Sequence, residues 1–176
     1  MKDFFENFEY ELFERKPQYN LVKKLKNNNL KISVAESCTG GLICKMITDV
    51  PGASQVFEYG FCTYSNNSKN KILGIDKEFL YKYTAVSREI AIKMATSAKK
   101  ISGADLSISV TGYAGSKKEA KYNKNVGLVF IGASFEEKNY VIKIDFKKTT
   151  KCTRKLVREL SAKHAISIAI KVLEDY

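Results

Sequence analysis

The chain has 176 residues, 44% of them apolar, which fits one domain with one substantial core. No apolar run reaches the ~20 residues of a membrane-spanning helix. The N-terminus mixes acids with its aromatics where a secretory leader needs an unbroken apolar stretch, so the sequence reads as cytoplasmic and without a membrane partner. The net charge is +11, with residues 1–16 at −2 and therefore +13 on the remainder. Its basic residues are scattered, which favours solvated surface and attraction of a small anionic substrate over an extended nucleic-acid groove. None of Cys38, Cys44, Cys62 and Cys152 sits in a CxxC pair, and His164 is the lone imidazole, which argues against a zinc site and for free thiols.

Phe4, Phe5, Phe8, Leu12 and Phe13 space an amphipathic helix over residues 1–16, set off by Pro17 as an extension of a single domain spanning 1–176. A helix over 18–29 follows, buried through Leu21, Val22 and Leu25 and stopped by Asn27-Asn28-Asn29. Lys31–Ala35 is a short strand. A helix is expected from about Ser37–Thr39 to Asp49, ended by Pro51-Gly52. Gln55–Tyr64 reads as a strand, then two short helices over 66–73 and 77–83 separated by Gly74. Ser87 caps a helix to Ile101 whose buried stripe is Ile90, Ala91, Met94, Ala95, Ala98 and Ile101. Leu106, Ile108 and Val110 alternate with serines in a strand. Val126–Ser134 and Tyr140–Phe146 form a hairpin, and 153–173 a long closing helix. Early alternation of helix and strand implies parallel strands, and the hairpin makes the sheet mixed. The expected fold is a three-layer α/β/α sandwich on a mixed, largely parallel sheet.

Three strand ends carry polar groups. At Ala35-Glu36-Ser37-Cys38-Thr39-Gly40-Gly41 a hydroxyl lies between a strand and a helix start. Free N–H groups of a helix N-terminus would bind an anion or an oxyanion, and a serine there would attack a carbonyl. Equally, serine is an ordinary N-cap. Tyr64-Ser65-Asn66-Asn67-Ser68-Lys69 sets a phenol, a carboxamide and an amine beyond a second strand. A lysine of depressed pKa there would serve as base with tyrosine holding it. The plainer reading has Asn66 capping a helix and Lys69 in solvent. Val110-Thr111-Gly112-Tyr113-Ala114-Gly115 follows a third strand and offers a hydroxyl and close backbone approach, or simply a turn. In a doubly wound sheet such turns face one edge, where ligands bind.

In order, AESCTGG at 35–41, DVPGAS at 49–54, YSN at 64–66 with Lys69, Leu73-Gly74, AVS at 85–87, TGYAG at 111–115, Val126-Gly127, and Arg154 with Arg158 resemble the CinA C-terminal-domain family, over about residues 18–174. The resemblance implies the stand-alone form, an oligomeric α/β/α protein that needs no metal or organic cofactor. Its implied activity is deamidation of nicotinamide mononucleotide to the carboxylate and ammonia. It also implies Ser37, Tyr64 and Lys69 as the catalytic set, with Thr111 and Arg154 contacting the substrate. Thr39, Gly40, Asn66 and Gly112, on the same turns, complete the expected substrate-binding set. Where the family continues with proline and glycines, this chain has Ser116-Lys117-Lys118-Glu119-Ala120-Lys121, and Lys147–Lys151 replaces a short glycine-containing turn. These departures leave as the alternative a catalytically altered binding protein on the same fold, linked to competence or DNA damage.

Overall fold

The computed structural model describes residues 16–115, 125–148 and 153–174. The expected N-terminal helix therefore lies outside the described residues apart from Lys16, as do residues 116–124 and 149–152 of the two altered loops. Helix α1 (Pro17–Asn27) opens with proline in its first turn, where the missing N–H costs nothing, and buries Leu21, Val22 and Leu25. Strand β1 (Ile32–Glu36) is buried along its whole length. Helix α2 runs over Leu42–Thr48, and a 3-10 turn at Ala53–Gln55 delays strand β2 to Phe57–Cys62.

Helices α3 (Asn66–Leu73) and α4 (Lys77–Tyr83) each start on a side-chain cap. For α3 the cap is Ser65, in a reciprocal pair with Ser68, and not the expected Asn66, which is the first helical residue. Ser87 caps α5 (Arg88–Ser102) as expected. Its buried stripe stops at Ala98, and Ile101, expected in that stripe, is 48% exposed in the last turn, next to the Gly103 C-cap that ends the helix after Ser102. Strand β3 is Leu106–Gly112. The hairpin is tighter than its polar sequence suggests: β4 (Leu128–Phe135) and β5 (Lys138–Asp145) pair to the very end, leaving Glu136-Glu137 as the turn. Helix α6 (Arg154–Glu174) closes the described chain.

The sheet order is β2-β1-β3-β4-β5. Strands β2, β1 and β3 are mutually parallel, and β4 runs against β3 and β5. Helices α1, α2 and α6 cover one face and α3, α4 and α5 the other, giving the three layers. Ile32, Val34, Ile108 and Val110 pack under α6, while Ala35 meets Ile90, Met94 and Ala98 on the opposite face. The serines of β3 serve that second face, where α5 lies very close. Ser109 Oγ donates to the Ala91 carbonyl at 2.6 Å, and a Cβ on Gly132, the cross-strand partner of Ser109, would stand 2.6 Å from the same oxygen. Because β1 feeds the first helical layer and β3 is fed by the second, their shared C-terminal edge is a topological switch point. Among the described residues no helix is long and apolar enough to cross a membrane.

Candidate active site

Ser37 leaves β1 at that edge. Its N–H donates to the Val110 carbonyl at 3.0 Å, and its own carbonyl accepts from Gly40 N–H at 3.1 Å, closing a tight turn. Gly40 (φ 59°) and Gly41 (φ 91°) are both left-handed, a geometry that disfavours side chains. The expected helix start at 37–39 is thereby corrected: the turn comes first, and α2 begins at Leu42 with Gly41 as its N-cap. Ser37 is not a capping residue.

The anion site expected at this helix start is occupied by the chain itself. The fully buried Glu36 carboxylate accepts from Gly41 N–H (2.9 Å), Ile43 N–H (3.2 Å) and Cys44 N–H (2.9 Å). The helix dipole is spent on Glu36, which stiffens the turn from behind.

Lys69, on the first turns of α3, is 1% exposed. Its Nζ lies 2.8 Å from the Thr63 carbonyl and 3.0 Å from Ser37 Oγ. Burial pushes its pKa down from 10.5 to about 8. A neutral amine that donates to Thr63 keeps its lone pair for the Ser37 hydroxyl proton. The solvated reading of Lys69 does not describe this residue.

Tyr64 lies on the rim, 57% exposed, and its hydroxyl accepts from Arg154 Nη2 at 2.6 Å instead of meeting Ser37. Arg154 also reaches the Ala114 carbonyl at 3.4 Å, so the head of α6 is tied to two of the three strand-end turns. Ser37, Lys69, Tyr64, Thr111, Gly112 and Arg154 line one cleft of about 470 Å³. Within it, the Thr111 hydroxyl donates to the Ala85 carbonyl at 2.6 Å, and Gly112 leaves room for Val129 on the neighbouring strand.

Three expected substrate-binding residues are not on that wall. Thr39 is wholly buried, with no protein hydrogen-bond partner for its hydroxyl among the described residues. Gly40 faces outward beside Arg158, and Asn66 is exposed at the start of α3. Cys38, which does line the cleft, has its thiol pushed up to about 12 by burial and is held as a neutral thiol. His164 sits in the core beside Phe146, its pKa pushed down to about 4 by burial. Among the described residues no three His, Cys, Asp or Glu side chains gather as a metal would require. Residue types alone gave no signal for the Thr63 carbonyl or for Tyr113, which also lines the cleft, because backbone direction sets both.

The profile of the CinA C-terminal domain matches residues 14–173. A competence-damage inducible protein of Caldicellulosiruptor saccharolyticus is 47% identical over 156 residues, 89% of this chain and 37% of the relative. One from Thermoanaerobacter pseudethanolicus is 41% identical over 164 residues, 93% of this chain and 38% of its own length. The chain thus spans less than two-fifths of the length of these relatives. Among solved structures, the competence/damage inducible protein CihA of Agrobacterium tumefaciens superposes with a TM-score of 0.77 at 31% identity, covering 93% of this chain and 98% of that one. A CinA superfamily protein of Escherichia coli gives 0.80 at 27% identity, covering 89% and 88%.

Proposed function

We propose that this chain, which belongs to the CinA C-terminal-domain family, is an amidohydrolase that converts nicotinamide mononucleotide to nicotinate mononucleotide and ammonia. The observation that carries the reading is the buried Lys69 amine 3.0 Å from Ser37 Oγ at the mouth of a cleft. A primary amide needs a nucleophile, a base to activate it, and an acid for the departing nitrogen. Lys69 supplies the last two in turn. Its neutral amine takes the Ser37 proton as Oγ bonds to the amide carbon. The resulting ammonium then protonates the nitrogen, the C–N bond breaks, and ammonia leaves an acyl ester on Ser37. Water, deprotonated by the same amine, attacks the ester, and its collapse returns the proton to Ser37 and frees the carboxylate.

Arg154 suits the phosphate of such a substrate, since a guanidinium offers paired donors to an anion. Its present partner, the Tyr64 hydroxyl, is a neutral acceptor that a phosphate outcompetes. Tyr64 then acts at the rim, orienting Arg154, and Thr111 shapes the wall through its bond to Ala85.

The test is to incubate the purified chain with nicotinamide mononucleotide and measure ammonia and nicotinate mononucleotide together. Equal amounts of the two products support the reading. Absence of both, with tight oligonucleotide binding that persists at physiological salt, favours the binding-protein alternative.

A further inference from the structure

Arg158 has no part in the reaction described above, yet it touches the turn that carries the nucleophile. It lies one helical turn beyond Arg154 on α6, so both project from the same side of the helix. Arg154 reaches the cleft. Arg158 instead sends Nε (3.2 Å) and Nη2 (2.7 Å) to a single acceptor, the Thr39 carbonyl. The guanidinium is partly buried, and among the described residues no carboxylate pairs with it.

The acceptor belongs to the peptide that joins Thr39 to Gly40. The N–H of this peptide is held by the Ser37 carbonyl at 3.1 Å, and Gly40, left-handed and without a side chain, adds little restraint of its own. Rotation would shift the Ser37–Gly40 turn, and with it the position of Ser37 Oγ relative to Lys69 Nζ. Glu36 holds the far end of the same segment through the N–H groups of Gly41, Ile43 and Cys44. Between Ser37 and Gly41, the two-pronged contact from Arg158 is the side-chain restraint on a carbonyl.

We propose that Arg158 is a positioning residue for the nucleophile: by clamping the Thr39 carbonyl it fixes the turn that aims Ser37 at the substrate carbon, and it makes no contact with the substrate. This rests on the reading of Ser37 as nucleophile. The two arginines of α6 then divide their tasks, Arg154 facing the substrate anion and Arg158 the machinery behind it. A displacement of about 1 Å at a reacting atom costs on the order of a hundredfold in rate, so loss of the clamp is read in turnover and not in binding.

The experiment compares Arg158→Met and Arg158→Lys with the parent chain, using two readouts. One is steady-state deamidation of nicotinamide mononucleotide. The other is the rate at which a small fluorophosphonate labels Ser37, followed by peptide mass spectrometry, which requires no amide substrate. Arg158→Met is expected to lower kcat at least about tenfold with KM within about twofold, to slow Ser37 labelling by a similar factor, and to retain its thermal transition. Arg158→Lys recovers part of both rates, since one ammonium replaces two prongs. A raised KM with kcat kept would assign Arg158 to the substrate and overturn the proposal. Unchanged labelling in a folded Arg158→Met, or no labelling of the parent chain, overturns it as well. If Arg158→Met does not fold, Arg158→Lys decides, full rates in both readouts counting against the clamp. A parent chain that labels at Ser37 but releases no ammonia refutes the substrate reading and leaves the clamp to be judged by labelling.

Discussion

Replacing Lys69 with methionine separates what this side chain does for chemistry from what it costs the fold. With its pKa at about 8, roughly one Lys69 in eleven carries the neutral amine at pH 7, against about one in three thousand at the ordinary 10.5. Used as a base, it makes kcat/KM rise about tenfold per pH unit below 8 and level off above. The same depression is a stability term. The folded chain releases this proton near 8 and the unfolded chain near 10.5, so between those values the unfolded state holds more protons and stability rises with pH. Below about 8 the fold bears the whole penalty, about 3 kcal/mol, and above 10.5 it bears none.

Methionine fills the same buried position without charge but leaves the Thr63 carbonyl short of a donor, at a cost of about 1 kcal/mol. The net gain of about 2 kcal/mol at pH 7 corresponds to a Tm about 4–8 °C higher, at 2–4 °C per kcal/mol for a domain of this size. Lys69→Met should thus lose at least about a hundredfold in kcat, melt above the parent at pH 7, and lose that advantage by about pH 10.5. Ammonia release across pH 6–9.5, with calorimetry of both proteins at pH 7 and near 10.5, reads all three. A flat pH profile, more than a tenth of the activity left in Lys69→Met, or a variant that melts lower at both pH values would rule out Lys69 as a base of lowered pKa.

Two further substitutions test other parts of the site. Arg154→Ala removes the Tyr64 partner and the proposed phosphate contact, and KM for nicotinamide mononucleotide should rise about tenfold or more while kcat falls less; an unchanged KM in initial-rate assays would remove Arg154 from the binding site. Glu36→Ala strips the acceptor from three backbone N–H groups and should cost about 2–4 kcal/mol, counting the lost cap and the orphaned donors. Denaturant titration checks this, and a loss under 1 kcal/mol would mean that water caps α2 equally well.

The fold was largely legible because its signals were local and periodic. Alternating Leu106, Ile108 and Val110, the Ser87 cap with its Ile90–Ala98 stripe, and the Gly74 and Gly103 stops each rest on a few neighbouring residues. The failures have physical causes too. Gly40 and Gly41 looked like the start of a helix, but two successive left-handed residues make a turn that postpones it. The Glu36 carboxylate fills the helix terminus that the sequence left open for an anion, because alternation along β1 sends Glu36 and Ser37 to opposite faces of the sheet. The sequence points to both Ser37 and Lys69, yet their 3.0 Å contact joins α3 to the turn after β1 across 32 residues, a tertiary fact with no local signature. The same holds for Arg158: the resemblance marks it beside Arg154, but its contact with the Thr39 carbonyl has no local signature.

In the proposed reaction Ser37, activated by Lys69, breaks an amide bond. Its most direct test is the rate of ammonia release from nicotinamide mononucleotide by Ser37→Ala beside the parent chain, with matched thermal transitions as proof of folding. The parent chain should release ammonia steadily and Ser37→Ala none above background, since the alanine leaves Lys69 without a hydroxyl to deprotonate. Release by a folded Ser37→Ala at a rate near that of the parent would contradict that mechanism.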